Sequence, residues 1–385
     1  MAKVERALIV GAGIGGLAAY TALAQAGTRA DVIERAPDST VYGVGICQPA
    51  NSLRVLRRLG VLEEILDTGW AFEDWLFYDH HENLVCEVPS LLGRGEEGVP
   101  AEVGLMRPEL HRILIEAAAR EGAKVRYGTT VADLQQEGES VAVEFSDGSS
   151  ADYDLVIAFD GIKSEMRRRL FGDGFEPVYT GAAVWRVMAP RLPEVVCGGI
   201  YQSPTRKAGR TPLGEDKMYL LLVTEEPAGV RYAKEEMVDL MRERLEEFEG
   251  TIGEIRDGLT ADSDVVYSPL SEVMLPTPWH RGRVVLGGDA AHACVPHLNQ
   301  GAAMAIEDAA TLADELVAGD TVEAALAAYS TRRLPRVKFA QKASRDVLDA
   351  ERQIHPDNFD QSLVEMAAHL PRAAGEVDEV FNQAA

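Results

Sequence analysis

Cysteine is scarce and scattered. Cys47, Cys86, Cys197 and Cys294 stand far apart, with no C-x-x-C pair and no histidine at metal-ligand spacing. Nothing therefore suggests a disulfide framework or a zinc site, and four free thiols with no metal are expected. Basic residues are outnumbered, 38 Lys and Arg against 62 Asp and Glu, for a formal net charge of −24. That balance argues against nucleic acid or an anionic membrane surface as partner, while leaving small substrates open. No apolar run approaches the ~18 residues of a membrane span. A strand-like run begins within a few residues of Met1 where a signal peptide would have its charged and apolar regions, so a cytoplasmic protein is expected. Repeats and low-complexity linkers are also missing. A chain of 385 residues exceeds one ordinary core, and without a tether its domains should interleave.

What the chain does have is glycine at fixed spacing. Leu8-Ile9-Val10-Gly11-Ala12-Gly13-Ile14-Gly15-Gly16-Leu17 is a short apolar run meeting G-x-G-x-x-G, followed by an Ala/Leu-rich segment, 17–26, at helical period. This predicts strand, tight turn and helix. Gly11 permits the turn, Gly13 lets a pyrophosphate approach the backbone, and Gly16 lets helix pack on strand, so that unpaired N–H groups and the positive helix end face the phosphates. Glu34 closes a second strand, Arg29–Glu34, where a carboxylate accepts ribose hydroxyls and repels a 2′-phosphate. The cofactor implied is a dinucleotide with an unmodified ribose, NAD or FAD. Gly15 and Arg35 join the candidate contacts.

Further along, Tyr42-Gly43-Val44-Gly45-Ile46 lets backbone pass close to something flat, and Gly45 is a candidate contact. Asn51–Leu66 reads as an amphipathic helix with Arg54, Arg57 and Arg58 on or beside its polar face, Arg54 being a possible phosphate contact. Two strand patterns (Trp75–Tyr78, Leu84–Val88) and a Gly/Glu-rich loop at 93–98 form an excursion before Met106-Arg107-Pro108 opens a helix. Leu155–Phe159 is a buried-strand pattern ending in Asp160-Gly161, with Ser164 and Arg167 at the next helix start. Ligands in open α/β sheets gather at the carboxyl ends of strands. Residues 176–270 change character, with alternating runs (Ala182–Met188, Met218–Val223, Val265–Ser268) around one amphipathic helix, Lys234–Phe248, which reads as a mostly antiparallel sheet. Val284–Leu286 then leads into Gly287-Gly288-Asp289-Ala290-Ala291-His292, and a Pro296…Gln300-Gly301-Ala302 loop feeds a helix over Ala303–Leu316. Helices over 321–352 and 359–370 end the chain.

In order and spacing, Gly11–Gly16 with Glu34, Arg107-Pro108, Asp160-Gly161 with Ser164 and Arg167, and Gly288–His292 with Pro296, Gln300 and Gly301 resemble the class A FAD-dependent aromatic hydroxylases, of the p-hydroxybenzoate hydroxylase fold. The resemblance spans about residues 4–340. It implies an α/β protein. A Rossmann-like FAD-binding domain (1–72, 101–175 and 271–345) would interleave with a smaller substrate domain of mostly antiparallel sheet (73–100 and 176–270), followed by C-terminal helices (346–385). By the same resemblance Glu34 holds the adenosine ribose and Arg107 contacts FAD. Asp289 holds the ribityl or pyrophosphate portion, and Asp160-Gly161 serves FAD and transient NADH or NADPH. The backbone from Pro296 to Ala302, including Gly301, lies against the isoalloxazine. A helix beginning there aims N–H groups at the flavin edge that turns negative on reduction. Asn299 departs from the family's usual glycine.

The activity implied is hydroxylation of a small aromatic or N-heteroaromatic ring, itself hydroxylated and anionic, by NAD(P)H and O2 through a C4a-hydroperoxyflavin. The protein must orient the ring, help deprotonate its hydroxyl and exclude water. Candidates are His297, next to Pro296 and read as lying on the substrate side of the flavin, and Tyr219, facing the pocket with Leu221 and Val223 beside it. Arg206, with Lys207 and Arg210, makes a positive cluster that is either a solvated loop or a site for a carboxylate. Arg186 either reaches the cleft or forms a structural ion pair, and His292 reads as structural. In arrangement the Pro296–Ala302 string looks closest to members acting on hydroxypyridine carboxylates. An NAD-dependent dehydrogenase and a non-catalytic flavoprotein are the alternatives.

Overall fold

Buried apolar strands with glycine turns build the first layer. The computed structural model describes residues 4–40, 43–89 and 98–383. Tyr42 and residues 93–97 of the Gly/Glu-rich loop lie outside them. A six-stranded sheet has the order 280–281, 284–286, 155–158, 6–10, 29–33, 125–126. Arg6–Val10 pairs in parallel with Leu155–Ala158 on one side and Arg29–Ile33 on the other. All of 155–158 and four of the five residues of Arg6–Val10 are buried, the mark of a sheet covered on both faces. Helix Ile14–Gln25 packs against helix Gln300–Ala318. Gly15, Gly16, Ala18, Ala19 and Ala22 keep its surface low enough for that approach.

The second layer is a seven-stranded sheet in the order 266–272, 178–190, 217–225, 207–212, 198–202, 74–79, 84–89. It is antiparallel except where Gly198–Gln202 meets Asp74–Asp79. Alternation splits it into two faces. Trp185, Val187, Leu220, Leu222, Tyr201 and Ala208 share a core with Val238, Met241, Phe248 and Ile252. The opposite face follows from register: Arg186 opposes Leu221, Met188 opposes Tyr219, and Lys207 and Thr211 oppose Val223 and Tyr219. This second face looks toward the nucleotide-binding sheet, packing Val184, Leu221 and Val223 with Val295 and Leu348.

Three expectations are corrected. The cluster Lys207–Arg210 is no solvated loop but the start of a wholly buried strand, Lys207–Pro212. Its polar residues and Gly209 conceal the apolar alternation that marks its neighbours. The helix expected over Lys234–Phe248 is a 3-10 turn, Lys234–Glu236, and a short helix, Met237–Arg244, with a further helix at Gly250–Gly258. The last helix runs Phe359–Phe381 straight through Pro371. Its far end is pinned: Phe381 is buried against Phe339, and the carbonyl of Phe381 accepts from Arg54 and Arg336. Arg54 therefore serves the chain's end, not a phosphate. Among the described residues no helix is long and apolar enough to cross a membrane.

Beneath the first sheet's edge lies a buried charge network. Arg333 reaches Glu307 and Asp308, each at 2.7 Å, and Arg336 reaches Glu307 at 2.7 Å. Asp308 also meets His292 Nε2 at 2.6 Å and accepts from Gly288 N at 2.8 Å. His292 is structural, as its place in the turn suggests. Burial alone would raise both carboxyls, but the arginines, with His292 at Asp308, hold them below the usual range. Replacing Arg333 by Ala removes the charge that Glu307 and Asp308 share, leaving Arg336 to the first and His292 to the second, and urea unfolding should register a loss of about 3–5 kcal/mol at neutral pH. Because the folded pKa values are depressed, that stabilisation is present above about pH 4 and is lost only as pH falls through the folded values, so the gap between wild type and variant should close only in strong acid.

Candidate flavin and substrate site

Parallel register brings three distant segments to one edge. Arg6–Val10, Leu155–Ala158 and Val284–Leu286 are adjacent strands running the same way. Gly11, Asp160-Gly161 and Gly288-Asp289 therefore emerge side by side at their carboxyl ends, about 10 Å apart across the outer two at ordinary strand spacing. Each glycine of the first loop has a separate geometry. Gly11 has φ +104°, and a Cβ there would lie 2.5 Å from the Phe159 carbonyl oxygen. A Cβ on Gly16 would strike the Gly11 carbonyl, whereas one on Gly13 would meet no atom within 4 Å. Gly15 is closed off by the Phe159 ring. The one open glycine is the one where a pyrophosphate must approach.

Glu34 carries its carboxylate across this loop, accepting from Ala12 N and Ala36 N, both at 2.9 Å. Each oxygen keeps a lone-pair direction for a ribose hydroxyl. Arg35 beside it is exposed. Asp160 accepts from Met166 N at 3.0 Å through Oδ2. Among the described residues its Oδ1 is buried without a partner, and burial pushes its pKa up, the signature of a group awaiting a donor. Ser164 caps the next helix by accepting from Arg167 N at 2.8 Å. Arg167, itself buried, donates to the carbonyls of Ala290 and Ile162, tying this turn to the Gly288–His292 segment. Asp289 is solvent-accessible yet closely surrounded; burial raises its pKa while His292 and Arg107 oppose the rise.

Helix Gln300–Ala318 begins three residues earlier than its apolar pattern implies, and no side chain caps it and no acid occupies its first turn. Asn299 takes the left-handed conformation (φ 56°) that its family position usually gives to glycine, which Asn tolerates best among other residues. Its side chain turns away to donate to Glu102 at 3.2 Å, and the Gln300 side chain is buried against Asn51. The N–H groups of Gly301 and Ala302 are left for a ligand, and a Cβ on Gly301 would meet nothing within 4 Å. The residues fit FAD: an open phosphate loop, a ribose acid, an orphaned acceptor and an uncapped helix end share one edge.

The second sheet supplies the facing wall. Tyr219 is buried with Val44 and Leu213, and its ring fills the space that a Cβ on Gly45 would need. The flat neighbour inferred for the Gly43–Gly45 backbone is thus, at Gly45, this tyrosine. On the next strand Arg186 forms no ion pair or hydrogen bond among the described residues, and its surroundings are Tyr219, Cys47 and the like-charged Arg107. Burial, with Arg107, lowers its pKa, though Tyr219 and Cys47 work against that. His297 sits on the 3-10 turn Pro296–Leu298, its ring screened from solvent against Glu351. Arg206 stands elsewhere. It hydrogen-bonds Glu247 at 3.1 Å on the rim of a separate cavity, at the end of its hairpin opposite Tyr219. The arginine that belongs with Tyr219 is Arg186, and the alternation of Ala182–Met188 was the signal that would have selected it.

The family profile described as "FAD binding domain" matches residues 5–344. The chain belongs to the FAD-dependent aromatic hydroxylases. This hydroxylase is 31% identical over 359 residues to 6-hydroxynicotinate 3-monooxygenase of Pseudomonas fluorescens, covering 90% of this chain and 92% of the relative. It is 32% identical over 363 residues to 3-hydroxybenzoate 6-hydroxylase 1 of Aquipseudomonas alcaligenes, covering 89% and 88%. Its fold matches Klebsiella pneumoniae HpxO complexed with FAD and uric acid at TM-score 0.85, with 23% identity and coverage of 98% and 96%. It matches 2-methyl-3-hydroxypyridine-5-carboxylic acid oxygenase at TM-score 0.77, with 25% identity and coverage of 96% and 98%. The hydroxylase is thus an FAD-dependent monooxygenase of small aromatic rings, using O2 and NAD(P)H, and the dehydrogenase and non-catalytic alternatives give way.

The glycine geometry makes a sharp test. Gly13 has extended dihedrals (φ −77°, ψ −174°) that valine adopts freely. Gly13→Val should fold with wild-type circular dichroism yet bind FAD at least about 100-fold more weakly, close to 3 kcal/mol, in a flavin fluorescence titration, because only the pyrophosphate's place is filled. Gly16→Ala should instead fail to fold stably.

Proposed function

We propose that the hydroxylase acts on a hydroxylated aromatic or N-heteroaromatic carboxylate, with Arg186 as the carboxylate's partner. The unpaired guanidinium carries this reading: a half-buried cation beside Tyr219, with the like-charged Arg107 near it and no carboxylate among the described residues, gains a partner when an anion arrives. The acids turned over by the relatives, 6-hydroxynicotinate and 3-hydroxybenzoate going by their names, combine a ring hydroxyl with a carboxylate. Bound FAD supplies the reduction by NAD(P)H and the activation of O2.

The chain's own residues do the rest. Arg186 and Tyr219 fix the ring from the sheet side, through a charge and a hydroxyl. His297, neutral because it is buried, takes the ring hydroxyl's proton and makes the ring electron-rich. Pro296 fixes the backbone that carries His297, and Val184, Leu221, Val223 and Val295 form an apolar wall that keeps water out. Residues 1–72, 101–175 and 271–345 serve the cofactor and 73–100 with 176–270 the substrate; the surroundings are those of the cytoplasm, which suits four free cysteines.

NAD(P)H oxidation with O2 uptake should be stimulated by 6-hydroxynicotinate or 3-hydroxybenzoate, and far less by phenol or 2-hydroxypyridine. Arg186→Met should raise KM for the carboxylated compounds about 30-fold, near 2 kcal/mol for a lost charge-assisted pair, and barely alter the uncharged ones. Equal stimulation by the uncharged rings would sink the proposal.

A further inference from the structure

His297 does not stand alone. Its Nε2 lies 3.3 Å from Oε2 of Glu351, the last residue of helix Val322–Glu351, and only 1% of its side chain is accessible. Glu351 Oε1 is held by the ammonium of Lys207, the first residue of the buried strand Lys207–Pro212. Three elements remote in sequence thus deliver a base, an acid and a cation to one buried spot. Neither nitrogen of His297 completes an aligned hydrogen bond, and Nδ1 has no partner among the described residues. Lys207 and Glu351 also line a cavity of about 530 Å3 together with Arg206, Arg352 and His355. Catalytic hydrogen bonds are commonly loose before substrate binds.

We propose that Glu351 is the orienting carboxylate of His297 in the hydroxylation, and that Lys207 is the fixed counter-charge that sets the basicity of this pair. Both are positioning residues. The inference rests on the substrate reading above. In the step, the substrate's O–H bond breaks and its electron pair stays on the ring oxygen. The proton forms a bond to Nδ1, and Nε2–H remains directed at Glu351. The carboxylate stays ionised and balances the new imidazolium, so no electron leaves the substrate.

The electrostatics agree. Burial and then Lys207 hold the imidazole below its ordinary range, with Arg352 adding to them and Glu351 pulling the other way. Burial would raise Glu351, but Lys207 and His297 outweigh it and bring its carboxyl down to about 2. Arg352 is occupied by Glu225 at 3.0 Å and Asp349 at 3.4 Å, which leaves Lys207 and Glu351 as the two levers on His297.

The two levers have opposite signs, and a merely structural bridge would shift the imidazole without moving turnover. In the FAD-loaded enzyme the imidazole of His297 is followed by NMR titration, its resonance assigned with His297→Gln. Glu351→Gln should lower its midpoint and Lys207→Met should raise it, each by about one pH unit or more. With whichever of 6-hydroxynicotinate and 3-hydroxybenzoate stimulates turnover, the acid limb of kcat/KM should move the same way. Glu351→Gln should lower kcat about 10- to 100-fold with KM nearly unchanged. Midpoints that stay put or move in one direction together, or a Glu351→Gln enzyme with wild-type kcat, would overturn the proposal. If Glu351→Gln does not fold, the sign of the Lys207→Met shift decides. Failure of both probe acids would sink the substrate reading, while the substrate-free titration still decides the pair.

Discussion

The buried pairing of Glu307 and Asp308 with Arg333 and Arg336 is the constraint on which the site depends. Removing ions from water costs several kcal/mol each, and the cost is recovered only when every charge finds well-placed partners. Here each does. Glu307 also accepts from Asn51 at 2.9 Å, and Arg333 donates to the Met304 carbonyl. The network holds helix Gln300–Ala318 against helix Val322–Glu351 and binds Gly288 N and His292 into the same lattice. Two of the segments expected to meet the flavin, Gly288-Asp289 and Gly301-Ala302, are thereby fixed to one another by charge. Apolar packing of equal area would let helices slide; a set of directional ion pairs has one register.

The same network explains how the chain's end reaches the cofactor's support. Arg336 bonds Glu307 and also donates to the carbonyls of Val380 and Phe381. Those carbonyls close the last turn of Phe359–Phe381, the end where free acceptors attract cations. At its start, Phe359 packs on His80 beside the second sheet. The helix spans from the substrate wall to the flavin support. Pro371 in its middle does not end it, because both ends are anchored by tertiary contacts.

What could be read from residues was what rests on local pattern. The Gly11–Gly16 loop announces itself because each glycine answers a separate steric need within one turn. Asp160 and Asp289 were legible because each terminates a continuous apolar strand. Strand Lys207–Pro212 was not, since Lys207, Arg210 and Thr211 look solvated until a partner is known. Lys207 has Glu351, far along the chain, and Arg210 has the Cys197 carbonyl, so both are buried with partners that no local window contains. Arg206, on the rim of the cavity beside Glu247, and Arg186, on the wall beside Tyr219, look alike in sequence. Only sheet parity separates them.

That parity has a further consequence for the facing wall. Trp185 and Arg186 are neighbours, and their side chains must take opposite faces of one strand. Trp185 closes the helix-backed core, with its indole N–H donating to Thr224 at 3.0 Å. Arg186 is thereby turned toward the cofactor sheet. A one-residue slip would exchange them, placing an indole at the flavin and a guanidinium in an apolar core. The register that prevents the slip is set by nine paired residues with Lys217–Glu225 and by the aromatic cluster of Trp185, Tyr232 and Tyr267 behind it. Packing on the far side of the sheet thus holds the Arg186 charge on the face turned toward the cofactor sheet.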